Sequence, residues 1–265
     1  MRYFLSLLFV STLLFSCKSE NKEKEEVALE EEPVMEEQTT QDDGPEITPV
    51  SHATAVINWD DTTIFLDPVG GAKAFEGQGP PDLVLITDIH GDHTDAQTLA
   101  ELDLGTTIII APQAVKEKLP DSLTTNLLVL NNDETIDQNG FSIKAIPMYN
   151  LREEAKDFHV KGRGNGYVIE KNGKRLYIAG DTEDIPEMRN LENIDVALVP
   201  MNLPYTMTVE KAAEGVLAFA PHKVYPYHYR GKGGKSDVQK FKELVNKGNE
   251  DIEVVLTEWY PNDSE

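Results

Sequence analysis

The chain has 265 residues, of which 40% are hydrophobic, so it can bury one large core or two small ones and is not disordered along its whole length. Asp and Glu total 47 against 24 Lys and Arg, a net charge of −23, which excludes generic nucleic-acid binding because that requires cations to neutralise phosphates. Cys17 is the one cysteine, so the sequence forms no intrachain disulfide, and any metal site needs histidine and carboxylate ligands.

An apolar run over residues 3–15 follows Arg2. The run is long enough for the core of an export signal and shorter than the roughly 20 residues that span a bilayer. It ends beside Cys17, an arrangement that resembles the lipobox of bacterial lipoproteins, in which the cysteine is acylated. We therefore predict a signal peptide over residues 1–16, a lipid on Cys17 and attachment to a membrane of the bacterial cell envelope. An ordinary signal peptide with a chance cysteine, or a short buried helix, is the alternative.

An acidic segment follows the cysteine. Residues 18–46 contain 12 acidic and 3 basic residues and almost no aromatic or β-branched side chains that could nucleate packing. This composition predicts a solvated tether over residues 17–46 and a folded domain over residues 47–265. The domain keeps a net charge of −15 and is therefore acidic without the tether.

From residue 47 onward, strand and helix patterns alternate. Two strands meet at Asp60 and Asp61, and Asn139-Gly140 and Asn172-Gly173 are typical of two further hairpin turns. Helical periodicity appears over residues 94–103, 208–220 and 236–246. Strands in runs with interspersed helices predict a layered α/β domain in which helices cover sheets.

Polar side chains collect where the predicted strands end. One apolar run ends at Thr87 and is followed at once by two aspartates and two histidines, and later strands end before an aspartate and a histidine. Because the ligand crevice of an open α/β sheet lies outside the carboxyl ends of its strands, these groups can converge. The candidate metal ligands are Asp88, His90, Asp92, His93, His159, Asp181 and His228.

Such a set indicates metal chemistry. Imidazole and carboxylate groups bind zinc and similar ions, and three aspartates in one cleft repel each other unless a cation lies between them. Two ions are needed to use all the candidate ligands. A pair of ions about 3.5–4 Å apart lowers the pKa of a water held between them to roughly 7 and polarises a carbonyl or phosphoryl oxygen. The sequence therefore predicts metal-assisted hydrolysis of a small molecule.

The segment TDIHGDHTD, residues 87–95, resembles the H-x-H-x-D-H signature of the metallo-β-lactamase superfamily. The order of His159, Asp181 and His228 agrees with that family. The segments HATAVI from His52, LDP from Leu66 and AGDT from Ala179 resemble the branch that includes ascorbate-6-phosphate lactonase-like hydrolases. The resemblance covers most of residues 47–265 and implies a four-layer αββα sandwich.

The resemblance also implies a role for each ligand. His90 and His159 would hold one ion, Asp92, His93 and His228 the other, and Asp181 would bridge the two. Asp88 stands where the family's first histidine is usual, and an oxygen ligand there would favour manganese or iron over zinc, the metal otherwise expected. Asp92 is the candidate catalytic residue, because its carboxylate could orient the attacking water and then protonate the leaving group.

Cationic and aromatic residues near the candidate ligands indicate where a substrate binds. Arg163 and Arg230 lie in glycine-rich segments after His159 and His228, and we predict that they bind an anionic group while Tyr205 lines the pocket. Solvated, glycine-rich turns are the alternative interpretation. His52 is assigned to packing, and Asp67 to supporting a ligand.

The resulting hypothesis is a lipid-anchored hydrolase that acts on an ester-like bond in a phosphodiester, a lactone or another small ester, with β-lactams less favoured. The alternative is a non-catalytic metal-binding or scaffold lipoprotein that keeps the fold, with Asp88 as a sign of a degraded site. Redox chemistry at a di-iron site is a second enzymatic possibility, although the sequence shows no flavin domain to supply electrons. No sequence feature indicates an oligomeric state.

Overall fold

The computed structural model of the chain describes residues 44–261. The predicted signal peptide, Cys17 and the tether as far as residue 43 lie outside the described residues. Glu46, the last residue of the predicted tether, is the first residue of a strand. Within residues 44–261, no helix combines the length and the apolar character that crossing a membrane requires.

The first sheet has six strands that follow one another in chain order across the sheet. The first three pair antiparallel and the rest parallel. The strands are β1 Glu46–Ser51, β2 Thr54–Trp59, β3 Thr62–Leu66, β4 Leu83–Leu85, β5 Ile108–Ala111 and β6 Leu127–Val129. Two short helices, α1 Ala96–Glu101 and α2 Gln113–Lys118, connect its parallel part. The predicted turn at Asp60 and Asp61 joins β2 to β3.

The second sheet has seven strands, which are β7 Thr135–Gln138, β8 Phe141–Met148, β9 Gly164–Lys171, β10 Lys174–Ile178, β11 Val196–Pro200, β12 Lys223–Tyr227 and β15 Glu253–Val254. Between β12 and β15, the chain forms a separate hairpin of β13 Arg230–Gly231 and β14 Gly234–Lys235. Their order across the sheet is β15-β12-β11-β10-β9-β8-β7. Asn139-Gly140 joins β7 to β8 and Asn172-Gly173 joins β9 to β10, each with both φ angles positive, which confirms the two predicted hairpins.

Helices cover the outer face of each sheet. On β3, Ile64 and Leu66 belong to the core between the sheets, whereas Phe65 points to the other face and packs in the cluster that includes residues of α1 and α2. Trp59 of the first sheet meets Phe141 of the second, with 5.3 Å between ring centroids. The second sheet is covered by α3 Pro186–Arg189, α4 Val209–Phe219 and α5 Val238–Gly248. This layering confirms the predicted α/β sandwich.

Side-chain caps mark where the predicted helices begin. Asp95 accepts from the backbone N–H of Gln97 at α1, Thr208 caps α4 and Asp237 caps α5. These three helices match the predicted ones to within a few residues. In contrast, α2 and α3, which have 6 and 4 residues, have no predicted counterpart.

The arrangement of the strands positions the site. The chain leaves β3, β4, β10, β11 and β12 at the carboxyl ends of parallel strands, and the segments that follow contain the predicted polar residues. The turn between β1 and β2, with His52 at a positive φ of 55°, reaches the same place. The backbone N–H of His228 donates to the carbonyl of His52 at 3.2 Å.

Candidate metal centre

The seven predicted ligands come together at these strand ends. Five of them are buried, and three groups of three side chains have ligand atoms within 4.8 Å of one another. The groups are Asp88, His90 and His159; His93, Asp181 and His228; and His52, Asp92 and His228. They border a cavity of about 290 Å³ that Tyr205 and Arg230 also line.

Asp181 lies at the centre of the cluster. Its Oδ2 is 3.1 Å from Nε2 of His159 and 3.5 Å from Nε2 of His93, and its Oδ1 is 3.4 Å from Nε2 of His228. Burial alone would raise the pKa of Asp181, but the charges of His228, His93 and His159 hold it well below its usual range. The carboxylate is therefore ionised, with both oxygens facing imidazole nitrogens.

Gly180 allows the chain to present Asp181. Its φ is 67°, and a Cβ at this position would lie 2.9 Å from the carbonyl oxygen of Asn165. A side chain would therefore meet both a strained backbone and a steric clash. The turn between the end of β10 and Asp181 requires glycine.

His93 is oriented by a buried carboxylate. Nδ1 of His93 lies 2.7 Å from Oδ2 of Asp67. The same Oδ2 accepts from the hydroxyl of Thr87 at 2.6 Å, and Oδ1 accepts from the backbone N–H of Thr87 at 2.7 Å. Burial raises the pKa of Asp67, an effect that the charge of His93 partly offsets. When Nδ1–H of His93 donates to Asp67, the lone pair of Nε2 is available to a metal. The predicted supporting role of Asp67 agrees with this geometry.

The other two central histidines have comparable supports. Nδ1 of His159 lies 3.1 Å from the backbone carbonyl of Tyr205, and Nδ1 of His228 lies 2.8 Å from the side-chain amide of Asn202. His159 donates from Nδ1 to the carbonyl, whereas the Asn202 amide N–H donates to Nδ1 of His228. Both rings are held with Nε2 towards Asp181. Nε2 of His93 and Nε2 of His228 are 3.2 Å apart, and the two rings are stacked.

These residues fit a divalent ion. Oδ1 of Asp181 is buried and has no hydrogen-bond donor among residues 44–261, although an imidazole nitrogen lies nearby. Convergent imidazole nitrogens around an ionised carboxylate are the donor set that zinc and similar ions bind. A bound cation would provide a partner for Oδ1 of Asp181 and for the nearby Nε2 of His228.

Asp88 is paired inside the protein. Its Oδ2 is 2.6 Å from Nδ1 of His90 and 4.0 Å from Nε2 of His159. The guanidinium of Arg163 donates to both carboxylate oxygens, at 3.3 and 3.2 Å, and also to the backbone carbonyl of Phe158. Burial would raise the pKa of Asp88, but the hydrogen bond from His90 and the nearby positive charges lower it.

This pairing changes the interpretation of Arg163. The glycine-rich segment around Arg163 predicts that this residue binds the substrate's anion. In the structure its guanidinium instead lies on a protein carboxylate and not among the residues that line the cavity. Arg230 and Tyr205, the other two predicted substrate contacts, do line it. A charge pair of Asp88 and Arg163 thus occupies the position next to His90.

We expect Arg163→Ala to destabilise the metal-free protein by about 3–5 kcal/mol, because it leaves the fully buried Asp88 carboxylate without its charged partner. Urea unfolding measures the effect. Asp88→Asn is the matched variant, and combining it with Arg163→Ala should recover much of the loss, since no unpaired charge then remains. Strict additivity of the two single changes would contradict this coupling.

Three residues of the site were not predicted to contribute to it: His52, Phe158 and Asn202. Nε2 of His52 lies 3.4 Å from Oδ2 of Asp92, and its Nδ1 lies 2.9 Å from the hydroxyl of Tyr260. The ionised Asp92 carboxylate can only accept, and burial lowers the pKa of His52, so the neutral ring donates from Nε2 and its Nδ1 accepts from the phenol of Tyr260. In the sequence, the HATAVI segment that begins at His52 was the one signal that this residue belongs to the site.

Comparison with known proteins identifies the family. A family model described as "Beta-lactamase superfamily domain" matches residues 46–228. A UPF0173 metal-dependent hydrolase of Methanopyrus kandleri is 30% identical over 223 residues, which cover 80% of this chain and 96% of that protein.

Solved structures agree with this result. A protein of Parabacteroides distasonis named as a metal-dependent hydrolase is 35% identical, with a TM-score of 0.71 over 80% of this chain and 92% of that one. Igni18, a metallo hydrolase of Ignicoccus hospitalis, is 24% identical and shares the fold, with a TM-score of 0.68 over 81% of this chain and 95% of that one. The predicted superfamily is confirmed: the chain belongs to the metallo-β-lactamase superfamily and, within it, to the UPF0173 family of metal-dependent hydrolases.

Proposed function

We propose that the chain hydrolyses an ester-like bond of a small anionic molecule with the help of two divalent ions. Asp88, His90 and His159 would hold one ion, Asp92, His93 and His228 the other, with Asp181 between them. The observation that carries the proposal is the Asp181 carboxylate, whose oxygens face the Nε2 atoms of three histidines from separate parts of the chain.

Bound ions would supply Lewis acidity and lower the pKa of a water molecule. Imidazole predominates among the proposed ligands and favours zinc, while the oxygen ligand of Asp88 keeps manganese and iron as alternatives. The scissile bond could belong to a phosphodiester, a small ester or, by the resemblance to the ascorbate-6-phosphate lactonase-like branch, a lactone.

Asp92 is the residue proposed to move a proton. Its side chain is 41% exposed and borders the cavity, with Oδ2 held 3.3 Å from Nε2 of His228 and 3.4 Å from Nε2 of His52. Burial would raise the pKa of Asp92, but hydrogen bonds from His228 and His52 lower it far more, so the carboxylate is ionised. The hydrogen bond from His228 would be lost once Nε2 of that histidine bound an ion, and the carboxylate could then take a proton from the attacking water and return it to the leaving oxygen.

We expect Tyr260→Phe to lower turnover by roughly 10–100-fold with the metal content unchanged, because the change removes the donor that fixes the protonation of His52 and hence its hydrogen bond to Asp92. Steady-state kinetics and elemental analysis together measure this. Tyr177→Phe is the matched control, since the buried hydroxyl of Tyr177 makes no hydrogen bond within the described part of the chain. Full activity in Tyr260→Phe would rule out the role of this contact.

Arg230 is proposed to bind the anionic group. It lines the cavity, and its guanidinium stacks 4.5 Å from the ring centroid of Tyr260, which holds the side chain in place. We expect Arg230→Gln to raise KM for an anionic substrate by about tenfold, a value typical of losing a charge-assisted hydrogen bond of about 1.5 kcal/mol, and to change kcat little. An unchanged KM would remove Arg230 from the binding site.

The test of the proposed function is a panel of chromogenic phosphodiesters, lactones and small esters, assayed before and after chelation and again after zinc, manganese or iron is restored. Turnover that disappears on chelation and returns with metal supports the hydrolase. Metal binding without turnover of any panel member would favour the non-catalytic metal-binding or scaffold lipoprotein.

Attachment to a membrane of the cell envelope through a lipid on Cys17 is also proposed. Its support is in the sequence, where the apolar run over residues 3–15 ends beside the single cysteine. Intact-mass analysis of the protein from bacterial membranes tests it. An acyl mass that is absent from Cys17→Ser is the expected result, and an unmodified Cys17 in a secreted protein would contradict the anchor.

A further inference from the structure

The exposed apolar side chains of the protein are concentrated beside the candidate metal centre. Within residues 44–261, the large hydrophobic side chains that are exposed all lie in two loops, residues 151–160 and residues 203–205. They are Leu151, Phe158, Val160, Leu203 and Tyr205. Single exposed apolar residues are ordinary on protein surfaces, but clustering at a cavity mouth is typical of a binding surface. We call these five residues the apolar rim.

Hydrogen bonds join the two loops into one surface. The side-chain amide of Asn150 donates to the backbone carbonyls of Ala155 and Tyr205, at 2.8 and 2.6 Å. The guanidinium of Arg152 donates to the carbonyls of Pro204 and Thr206 while it is paired with Glu183. These hydrogen bonds hold the two loops against each other, and the apolar side chains remain exposed. A surface fixed in this way is preorganised for a ligand.

The apolar rim is continuous with the metal centre. The rings of Phe158 and Tyr205 meet edge to face, with 5.2 Å between centroids, and both line the cavity that Asp92 and Asp181 border. The Tyr205 carbonyl is also the acceptor for Nδ1 of His159. A molecule whose scissile bond lies at the metal centre would therefore contact the apolar rim through Phe158 and Tyr205.

Cationic residues lie at another border of the same rim. The backbone N–H of Lys232 donates to the carbonyl of Leu203 at 3.1 Å, and Leu203 shares a surface groove with Lys232 and Lys235. A Cβ on Gly231 would lie 1.8 Å from the Leu203 carbonyl oxygen, so the hairpin of β13 and β14 approaches the rim this closely only because residue 231 is glycine. Leu203 of the apolar rim thus adjoins cationic side chains in this groove.

We propose that the substrate is an anionic amphiphile, with a negatively charged group bound by Arg230 at the cavity and an acyl, alkyl or aryl group on the apolar rim. The proposal rests on the proposed function, because the apolar group reaches the rim when the scissile bond of the same molecule lies at the metal centre. An apolar chain that leaves water on the rim increases affinity by roughly two- to fourfold for each buried methylene.

The first test uses ligands that need no turnover. Methyl-, butyl- and octylphosphonate carry the same charged group and differ only in apolar length, and calorimetry measures their dissociation constants from the metal-loaded full chain. We expect the dissociation constant to fall at least tenfold from methyl to octyl, at concentrations below those at which octylphosphonate forms micelles. Equal dissociation constants for the three ligands would overturn the proposal.

Variants of the rim locate the effect. Phe158→Ser and Leu203→Ser should each weaken octylphosphonate binding severalfold and methylphosphonate binding little. Leu123→Ser is the control, since Leu123 is a partly buried leucine that packs against the core cluster of the first sheet. Chain-length dependence that persists unchanged in the rim variants would overturn the proposal. Binding of the chain to anionic lipid vesicles without any preference among the monomeric phosphonates would also overturn it, in favour of a membrane-contact surface.

The second test separates this proposal from the proposed function. Methyl, butyl and octyl 4-nitrophenyl phosphates share a leaving group, so their intrinsic reactivities are similar. Values of kcat/KM that rise with alkyl length support both proposals. Phosphonate binding that depends on length without turnover of any ester would contradict the hydrolase and leave an amphiphile-binding site, whereas turnover that is independent of length, with equal phosphonate affinities, would contradict the amphiphile alone.

Discussion

Asp181→Asn is expected to remove most of the bound metal and to lower turnover by more than the roughly 10–100-fold that losing a hydrogen-bonding partner of a ligand costs. The change keeps the size of the side chain but removes the negative charge that faces the Nε2 atoms of His93, His159 and His228. Three imidazoles would then surround a neutral amide, which is a poor bridging ligand for two cations. Elemental analysis of the purified variant and its kcat measure the two effects.

Asp184→Asn is the matched control for this change. Asp184 is also a buried acidic residue near the end of β10, but its carboxylate pairs with Arg189 and lies outside the three ligand groups. This variant should keep the metal content and turnover of the unmodified chain. Retention of both metal and activity in Asp181→Asn would place the reaction elsewhere in the protein.

Asp67→Asn is expected to weaken metal binding by about 10–100-fold while leaving every proposed ligand in the chain. The Asp67 carboxylate accepts from the hydroxyl and backbone N–H of Thr87 and lies 2.7 Å from Nδ1 of His93. An amide has one acceptor oxygen where the carboxylate has two, so one of these partners meets an N–H group and the His93 ring loses its fixed tautomer. Competition with a chromophoric chelator measures the metal affinity.

A second aspartate provides the comparison for Asp67. Asp82 also accepts a backbone N–H from a neighbouring strand, from Thr63 at 2.8 Å, but it is exposed and belongs to none of the ligand groups. Asp82→Asn should leave the metal affinity unchanged. If Asp67→Asn binds metal as tightly as the unmodified chain, the buried carboxylate supports the fold and not the metal centre.

The part of the site that could be predicted is the part encoded locally. Asp88, His90, Asp92 and His93 follow one strand within six residues, so their spacing alone indicates a ligand cluster. Asp181 and His228 each follow a strand of the second sheet, and the rule that crevices lie at carboxyl strand ends was sufficient to bring them to the same place. The hairpins at Asn139 and Asn172 were likewise set by two-residue signals.

The remainder depends on contacts between distant segments. The hydrogen bond from Tyr260 to His52 joins residues 208 positions apart, and neither residue lies in a periodic pattern that would reveal it. Arg163 meets Asp88 across 75 positions, and a sequence shows the charge of an arginine but not the carboxylate it selects. Apart from Tyr205, the apolar rim is also invisible in the sequence, because Leu151, Val160 and Leu203 resemble core residues until the loops are seen to hold them outward.

The number of metal ions per chain, measured beside turnover, tests the central claim most directly. Elemental analysis of the full chain, after chelation and stepwise return of zinc, should show two ions bound at saturation. Turnover of a chromogenic phosphodiester or ester should rise with loading. Full turnover by the metal-free chain, or saturation below two ions per chain with full activity, would contradict a dinuclear centre bridged by Asp181.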